Sequence, residues 1–368
     1  MIPGRATPEG TDAYRRRRAE TAPEHFRSFG GSWLSSVGIG TYLGGEDTAT
    51  DDQYRDAVIR ALELGINVVD TAVNYRHQRS ERAIGQALSA LIGKGALRRE
   101  EVVVATKGGF IPFDGAMPRN PGAYFTETYL RPGVIGPDDV VAGCHCMTPR
   151  YLADQLERSR RNLGLETLDI YYVHNPETQL GEVDRPEFLK RIHRVFDFLE
   201  SAVRDDKIGC YGTATWNGYR QPATAGDYLS LAELEKVARN VAGAQHHFRV
   251  VQLPYNLAMS EAFTRANQSI DGDTVSLFEA ARRLGIYVMV SASIYQGQLA
   301  RNLPPILAEH LRGLATDAQR AIQFVRSTPG VGTALVGMKR IAHVEENAAL
   351  AKLAPVAWSE FQKLFKEA

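Results

Sequence analysis

Four residues could carry out acid chemistry together: Asp70, Tyr75, Lys107 and His174. Asp70 ends the apolar run of INVVDTAVNY, and Tyr75 follows five residues later. Lys107 ends EVVVATK and His174 ends LDIYYVH. A phenol with a pKa of about 10 is a poor proton donor at neutral pH unless its conjugate base is stabilised. An ammonium such as Lys107 would lower the Tyr75 pKa, and Asp70 would hold that ammonium charged and in place. His174 would orient a carbonyl or share its proton. The chemistry implied is protonation of a carbonyl oxygen while something else attacks the carbon. Singly, each residue also has an ordinary reading: a turn-capping Asp, a Tyr with its hydroxyl wet, a snorkelling Lys, a satisfied core His. The chemical reading needs all four in one place.

That place depends on the elements around them. Short β-branched runs alternate with amphipathic segments of helical length. The spacing predicts strands within 35–45 and over 66–70, 101–107, 168–174, 207–214, 249–253, 286–292 and 331–337. Helices are expected over 52–65, 80–92, 149–163, 187–204, 230–241, 274–284, 316–327 and 343–352. Eight strand–helix pairs close a parallel sheet without edges, so the expected class is α/β, a (β/α)8 TIM barrel. An open doubly wound sheet competes, but GIGTYLGG lacks the G-x-G-x-x-G spacing. In such a barrel the active groups sit at the C-terminal strand ends, and all four residues fall there.

Two regions exceed the basic barrel. Residues 1–30 are read as an N-terminal arm or cap, and 31–368 as a single catalytic barrel. Residues 110–147 form a long insert after the third strand. Its aromatics, Phe110, Phe113, Tyr124, Phe125 and Tyr129, argue against disorder and are expected to wall or cover the substrate pocket. The alternative for the insert is a dimer contact or an inert excursion.

Bulk composition narrows the partners. Lys+Arg and Asp+Glu both total 43, so no basic field points to nucleic acid or an anionic membrane. The one basic run, Arg15 to Arg18, is read as a solvated arm or helix face. Three cysteines are odd in number and too few for a disulfide framework, which suits a reducing cytoplasm. The CHC of Cys144, His145 and Cys146 lacks a second ligand pair at zinc spacing, so no metal is expected. No apolar run reaches the ~18 residues of a membrane span.

GINVVDTAVNY…SERAIGQAL, VVVATKGG, LDIYYVHNPE, VVQLPYN and ALVGMKRIAHVEEN resemble the aldo-keto reductase superfamily, in order, from about Ser35 to Leu353. The resemblance implies a barrel that binds nicotinamide and transfers hydride to an aldehyde or ketone, possibly sugar-like. Asp70, Tyr75, Lys107 and His174 match the family's catalytic tetrad, with Tyr75 as proton donor. Gln252 matches the residue that contacts the nicotinamide carboxamide. Ser293, Ile294, Gln296 and Gly297 match the loop over the pyrophosphate, while Glu346 and Asn347 match adenine-side positions.

The sequence also departs from that pattern. Ala214 and Thr215 stand where a Ser-Asn pair often holds the carboxamide. Ser291 stands where a Tyr often stacks on the nicotinamide, with Trp216 or Tyr295 as replacement rings. His343 stands where an Arg often clamps the 2′-phosphate. Lys339 and Arg340, just after Gly337 and Met338, are the cations expected to reach that phosphate instead, so NADPH is expected, with NADH possible. YRHQ replaces a Gly-rich turn and is expected to put the Arg76 cation near the mouth. Asn175 and Trp216 are expected to flank the substrate. Two further readings stand beside this one: a nicotinamide-binding regulatory subunit with little turnover, and a metal-dependent barrel hydrolase, for which strand-end His and carboxylate clusters are missing.

Overall fold

Residues 1–30 carry a helix and the first strand of a hairpin. The chain opens with α1 (Pro8–Arg16) and a hairpin of β1 (Phe26–Phe29) and β2 (Ser32–Ser35). It then alternates through β3 (Val37–Gly40), α2 (Thr48–Glu63), β4 (Val68–Asp70), α3 (Arg79–Gly93) and β5 (Val103–Gly108). The insert contributes α4 (Pro121–Phe125) before α5 (Pro149–Leu163), β6 (Leu168–His174), α6 (Arg185–Arg204), β7 (Ile208–Ala214), α7 (Leu231–Ala242) and β8 (Phe248–Pro254). After α8 (Glu261–Thr264) and a hairpin of β9 (Gln268–Ile270) and β10 (Asp273–Val275) come α9 (Leu277–Leu284) and β11 (Tyr287–Ser291). The chain closes with α10 (Ile306–His310), α11 (Asp317–Ser327), β12 (Thr333–Gly337), α12 (Ile341–Ala348) and α13 (Trp358–Phe361). This computed structural model describes residues 1–365; the last three positions of the 31–368 span lie outside the described residues.

The eight strands β3 to β8, β11 and β12 form one closed parallel barrel, as the alternation predicts. Local chemistry sets its joints. Asp47, Thr148, Asp184, Ser230, Ser276 and Thr316 each accept a backbone N–H in the first turn of the helix that follows, worth about 1 kcal/mol apiece. The Ser276 cap also corrects the expected 274–284 helix, whose first residues belong to β10. The hairpin before it turns on Asp271 and Gly272, both left-handed, which is the two-residue turn chemistry that an Asp-Gly pair favours.

Inside the barrel Val68, Val103, Ile170, Tyr172, Val250, Met289 and Leu335 pack together, and Leu34 of β2 closes the bottom. The helices cover the outside with a second, larger apolar cluster. Full burial of such side chains is worth about 1.5–3 kcal/mol each. The basic run is a partly exposed helix end whose arginines also hold partners beyond their own helix. Arg17 makes a bidentate pair with buried Glu101 at 2.6 Å, Arg18 bonds the Leu62 carbonyl, and Arg15 lies 4.0 Å over the Trp33 ring. Arg16, the most exposed of the four, pairs with Asp12 on its own helix face.

The insert is ordered by its own aromatics. Its two legs meet through Ile111 N–H to the Cys144 carbonyl and Cys146 N–H to the Gly109 carbonyl, both 2.9 Å. Tyr129 is buried at its centre among Tyr124, Phe125 and Tyr151, and donates to the Pro112 carbonyl.

Candidate active site

Strand register converts distant sequence positions into neighbours. Gly40 pairs with Asp70, Lys107 with Tyr172, His174 with Ala214, and Ala214 with Gln252. Asp70, Lys107, His174 and Gln252 therefore meet at the C-terminal mouth, although 182 positions separate the first from the last.

Lys107 is 1% exposed and donates to Asp70 Oδ1 at 2.6 Å and to the Thr71 carbonyl at 2.7 Å. An ammonium has three donors, and the third faces Tyr75, whose ring centroid lies 4.8 Å from Nζ. Gln252 donates to the second Asp70 oxygen at 2.7 Å. Burial opposes the charge on Lys107, but Asp70 and Tyr75 outweigh it and raise the pKa above the ordinary 10.5. Burial raises the Asp70 pKa, with Lys107 and Gln252 pulling against it. The two groups titrate as one unit.

Lys107 acts on Tyr75 with the expected sign, but burial is the larger influence. Burial pushes the phenol above 10.0, and Lys107, the strongest opposing influence, does not bring it back. The ring packs edge-on against Tyr42 at 4.9 Å and His174 at 5.9 Å. Burial, then Lys107 and His145, push His174 well below 6.5, so its imidazole is neutral. Its Nδ1 is buried without a hydrogen-bond partner among the described residues.

The turn after Tyr75 is strained. Arg76, His77 and Gln78 have φ of 49°, 51° and 73°, a left-handed run without glycine that costs about 1–2 kcal/mol per residue. The surroundings hold it. The Arg76 guanidinium bonds the Gly45 carbonyl at 2.7 Å and Asp51 at 2.5 Å, His77 meets Glu46 at 2.9 Å, and Gln78 donates to the Phe113 carbonyl. Arg76 is thus not a cation at the mouth: its side chain is buried and committed to the loop before α2 and to Asp51 in the first turn of that helix.

A cleft of about 990 Å³ opens above these residues. Asp70, Tyr75, His174, Asn175, Trp216, Gln252, Ser291, Ser293, Ile294, Gln296, Gly297, Gly337, Lys339, Arg340, His343, Glu346 and Asn347 all line it. Lys107 lies just beneath. Of the two replacement rings, Trp216 lines the cleft and Tyr295 does not. Of the insert aromatics only Phe110 reaches it, because Phe113, Tyr124, Phe125 and Tyr129 pack on one another, on His77 and on Tyr151. The insert flanks the pocket instead of covering it.

Sequence reasoning missed Tyr42, Asn74 and Arg301 as lining residues. Tyr42 was legible, since the first βα loop of a barrel belongs to the mouth. Arg301 carries no local signal. Beside the cleft, the buried Oε1 of Glu177 accepts the N–H groups of Trp216, Asn217 and Gly218 and sets that loop.

On the far side of the cleft α12 has Arg340 at its N-cap position and no side-chain cap, leaving first-turn N–H groups for an anion. The buried Asn347 Oδ1 and Thr215 Oγ1 also lack partners among the described residues. Such orphaned atoms suit a polar ligand lying across the cleft. Among the described residues no group of three or more His, Cys, Asp or Glu could hold a metal, and no helix is long and apolar enough to cross a membrane.

Comparisons with known proteins agree with this architecture. The model of the Aldo/keto reductase family matches residues 36–366. An NADH-specific methylglyoxal reductase of Escherichia coli is 28% identical over 186 residues, 49% of this chain and 48% of that protein. The chain thus spans about half the length of that curated relative. A putative voltage-gated potassium channel subunit beta of Schizosaccharomyces pombe is 20% identical over 89% of this chain and 88% of its own. A solved aldo/keto reductase of Klebsiella pneumoniae, in complex with NADP and acetate, superposes with TM-score 0.60 and 21% identity over 92% of each chain.

Proposed function

The chain belongs to the aldo/keto reductase family, and on that premise we propose that it is an NADPH-dependent oxidoreductase of an aldehyde or ketone, or of the matching alcohol. The observation that carries this reading is Lys107 held between Asp70 and Tyr75, with neutral His174 beside them, at the floor of one cleft. Bound there, a nicotinamide supplies or takes up the hydride.

The chain's own residues do the rest. In the one cleft they share, Ser291 would face the nicotinamide, Ser293, Ile294, Gln296 and Gly297 the pyrophosphate, and Glu346 and Asn347 the adenine. Lys339, Arg340 and His343 stand at the open start of α12, where charge and backbone N–H groups would hold a 2′-phosphate. Gln252 keeps its Oε1 for the carboxamide while its N–H holds Asp70.

A raised pKa keeps the proton on Tyr75 until a substrate oxygen gains negative charge. Lys107 then stabilises the phenolate left behind. Neutral His174 orients the carbonyl by donating a hydrogen bond, without adding a second positive charge. Tyr42, Phe110 and Trp216 with Asn74 and Asn175 suit a ring-bearing or sugar-like small molecule. Zero formal charge and an odd cysteine count support a cytoplasmic enzyme without a nucleic-acid partner.

The test is turnover with NADPH and NADH across a carbonyl panel that begins with methylglyoxal and 4-nitrobenzaldehyde. Tyr75→Phe is expected to lose on the order of 10²–10⁴ in kcat. Full turnover by that variant, where the chemical step limits the rate, removes Tyr75 from the role. The rival reading, a nicotinamide-binding regulatory subunit, predicts bound cofactor and no turnover on any member of the panel.

A further inference from the structure

We infer that His145, in the CHC of the insert, is a positioning residue for His174, replacing a main-chain hydrogen bond that the insert removes. The pairing of β5 with β6 ends at Gly108 and Val173, whereas β6 continues beside β7 to His174 and Ala214. Asn175 N–H points to β7, where it bonds the Ala214 carbonyl, so the backbone of His174 faces the β5 side. There β5 has already turned away into the insert. The return leg fills the gap with a side chain: His145 Nε2 lies 2.7 Å from the His174 carbonyl.

The proton on that nitrogen follows from the chain of partners. Arg191 can only donate, and it bonds Gln179 Oε1 at 2.5 Å. Gln179 therefore turns its amide N–H toward His145 Nδ1, 2.8 Å away. Nδ1 must accept, so the proton of a neutral imidazole sits on Nε2 and is donated to His174. His145 is fully buried, and burial lowers its pKa to about 4, which keeps the ring neutral at neutral pH.

The packing leaves no slack. A Cβ at Gly109 would come within 2.8 Å of both His145 Nε2 and the His174 carbonyl, so the close approach needs glycine there. Phe110 stands edge-on to both imidazoles, 5.2 Å from His145 and 5.0 Å from His174. The His174 ring has no partner at Nδ1 among the described residues, so its aim depends on its backbone and on these rings. The return leg thereby aims the residue proposed to orient the substrate carbonyl.

The kinetic arm rests on the reductase reading; the spectroscopic arm does not. In protein labelled with nitrogen-15 histidine, the signals lost in His145→Gln identify His145. They are expected to show a protonated Nε2 and a bare Nδ1; a proton on Nδ1 overturns the proposal. Glutamine reaches the His174 carbonyl with its amide N–H, whereas asparagine is one methylene too short. His145→Asn is expected to shift the His174 ring signals and, at unchanged NADPH affinity, to lower kcat roughly 10- to 100-fold. His145→Gln is expected to restore most of both. Both variants keep a polar partner for Gln179, and a thermal melt checks that each folds. Equal kcat and equal His174 signals in the two variants overturn the proposal. Absence of turnover in the wild type overturns the reductase reading, and the nitrogen-15 signals still decide the role of His145.

Discussion

Gln252 donates to Asp70 Oδ2 at 2.7 Å while Lys107 holds Oδ1 at 2.6 Å, so one buried carboxylate joins the proposed cofactor side of the cleft to the acid chemistry. Both carboxylate oxygens are committed, and all three residues are less than 5% exposed. Such a pair is costly to break and cheap to replace whole, because the penalty lies in leaving one charge uncompensated.

Lys107→Met alone is therefore expected to lose about 3–5 kcal/mol of unfolding free energy, measured by urea denaturation. The double variant Asp70→Leu with Lys107→Met is expected to recover most of that stability and none of the turnover. A double variant that still reduces carbonyls at the wild-type rate would show that the pair serves the fold alone.

The cations after β12 set cofactor choice. Lys339→Ala with Arg340→Ala removes charge-assisted bonds worth about 1.5–3 kcal/mol, so NADPH affinity should fall on the order of 10- to 100-fold. NADH affinity should scarcely change. Fluorescence titration with each cofactor reads both numbers. A wild type that binds NADH as tightly as NADPH refutes the assignment.

Only one aromatic of the insert touches the cleft, so the insert's substitutions should divide sharply. Phe110→Ala is expected to raise KM for an aromatic aldehyde several-fold, in line with the roughly 0.5–1.5 kcal/mol of a ring contact. Tyr124→Ala, packed on Phe113 and Tyr129 away from the cleft, should leave KM unchanged in folded protein. An equal rise in both would return the whole insert to the pocket wall.

His25 predicts a pH dependence of stability. Burial, then Arg326 and Arg27, lower its pKa from 6.5 to about 4. Between those values the unfolded chain binds a proton that the folded protein does not, so this stabilisation is present above pH 6.5 and lost as pH falls toward 4. In His25→Gln, the gap in unfolding free energy between pH 7 and pH 4.5 should shrink by about 2–3 kcal/mol. Denaturant titrations at the two pH values check this, and an unchanged gap refutes it.

The alternation of β-branched runs with amphipathic segments was enough to determine the barrel, because those periods are local properties of the chain. It also brought Asp70, Lys107 and His174 to strand ends, since each closes an apolar run. The Asp271-Gly272 hairpin was equally legible and was overlooked. What only the tertiary structure decided involves partners far apart in sequence. Arg76 looks like a cation at the mouth until Asp51 and the Gly45 carbonyl bury it. Arg17 looks solvated until Glu101, 84 positions away, receives it. The direction of the Tyr75 pKa is a contest between burial and the Lys107 ammonium, and burial is fixed by the whole fold rather than by neighbours in the chain. His145 is the same case: no spacing in the CHC reveals that a strand turning away has left a carbonyl for it to meet.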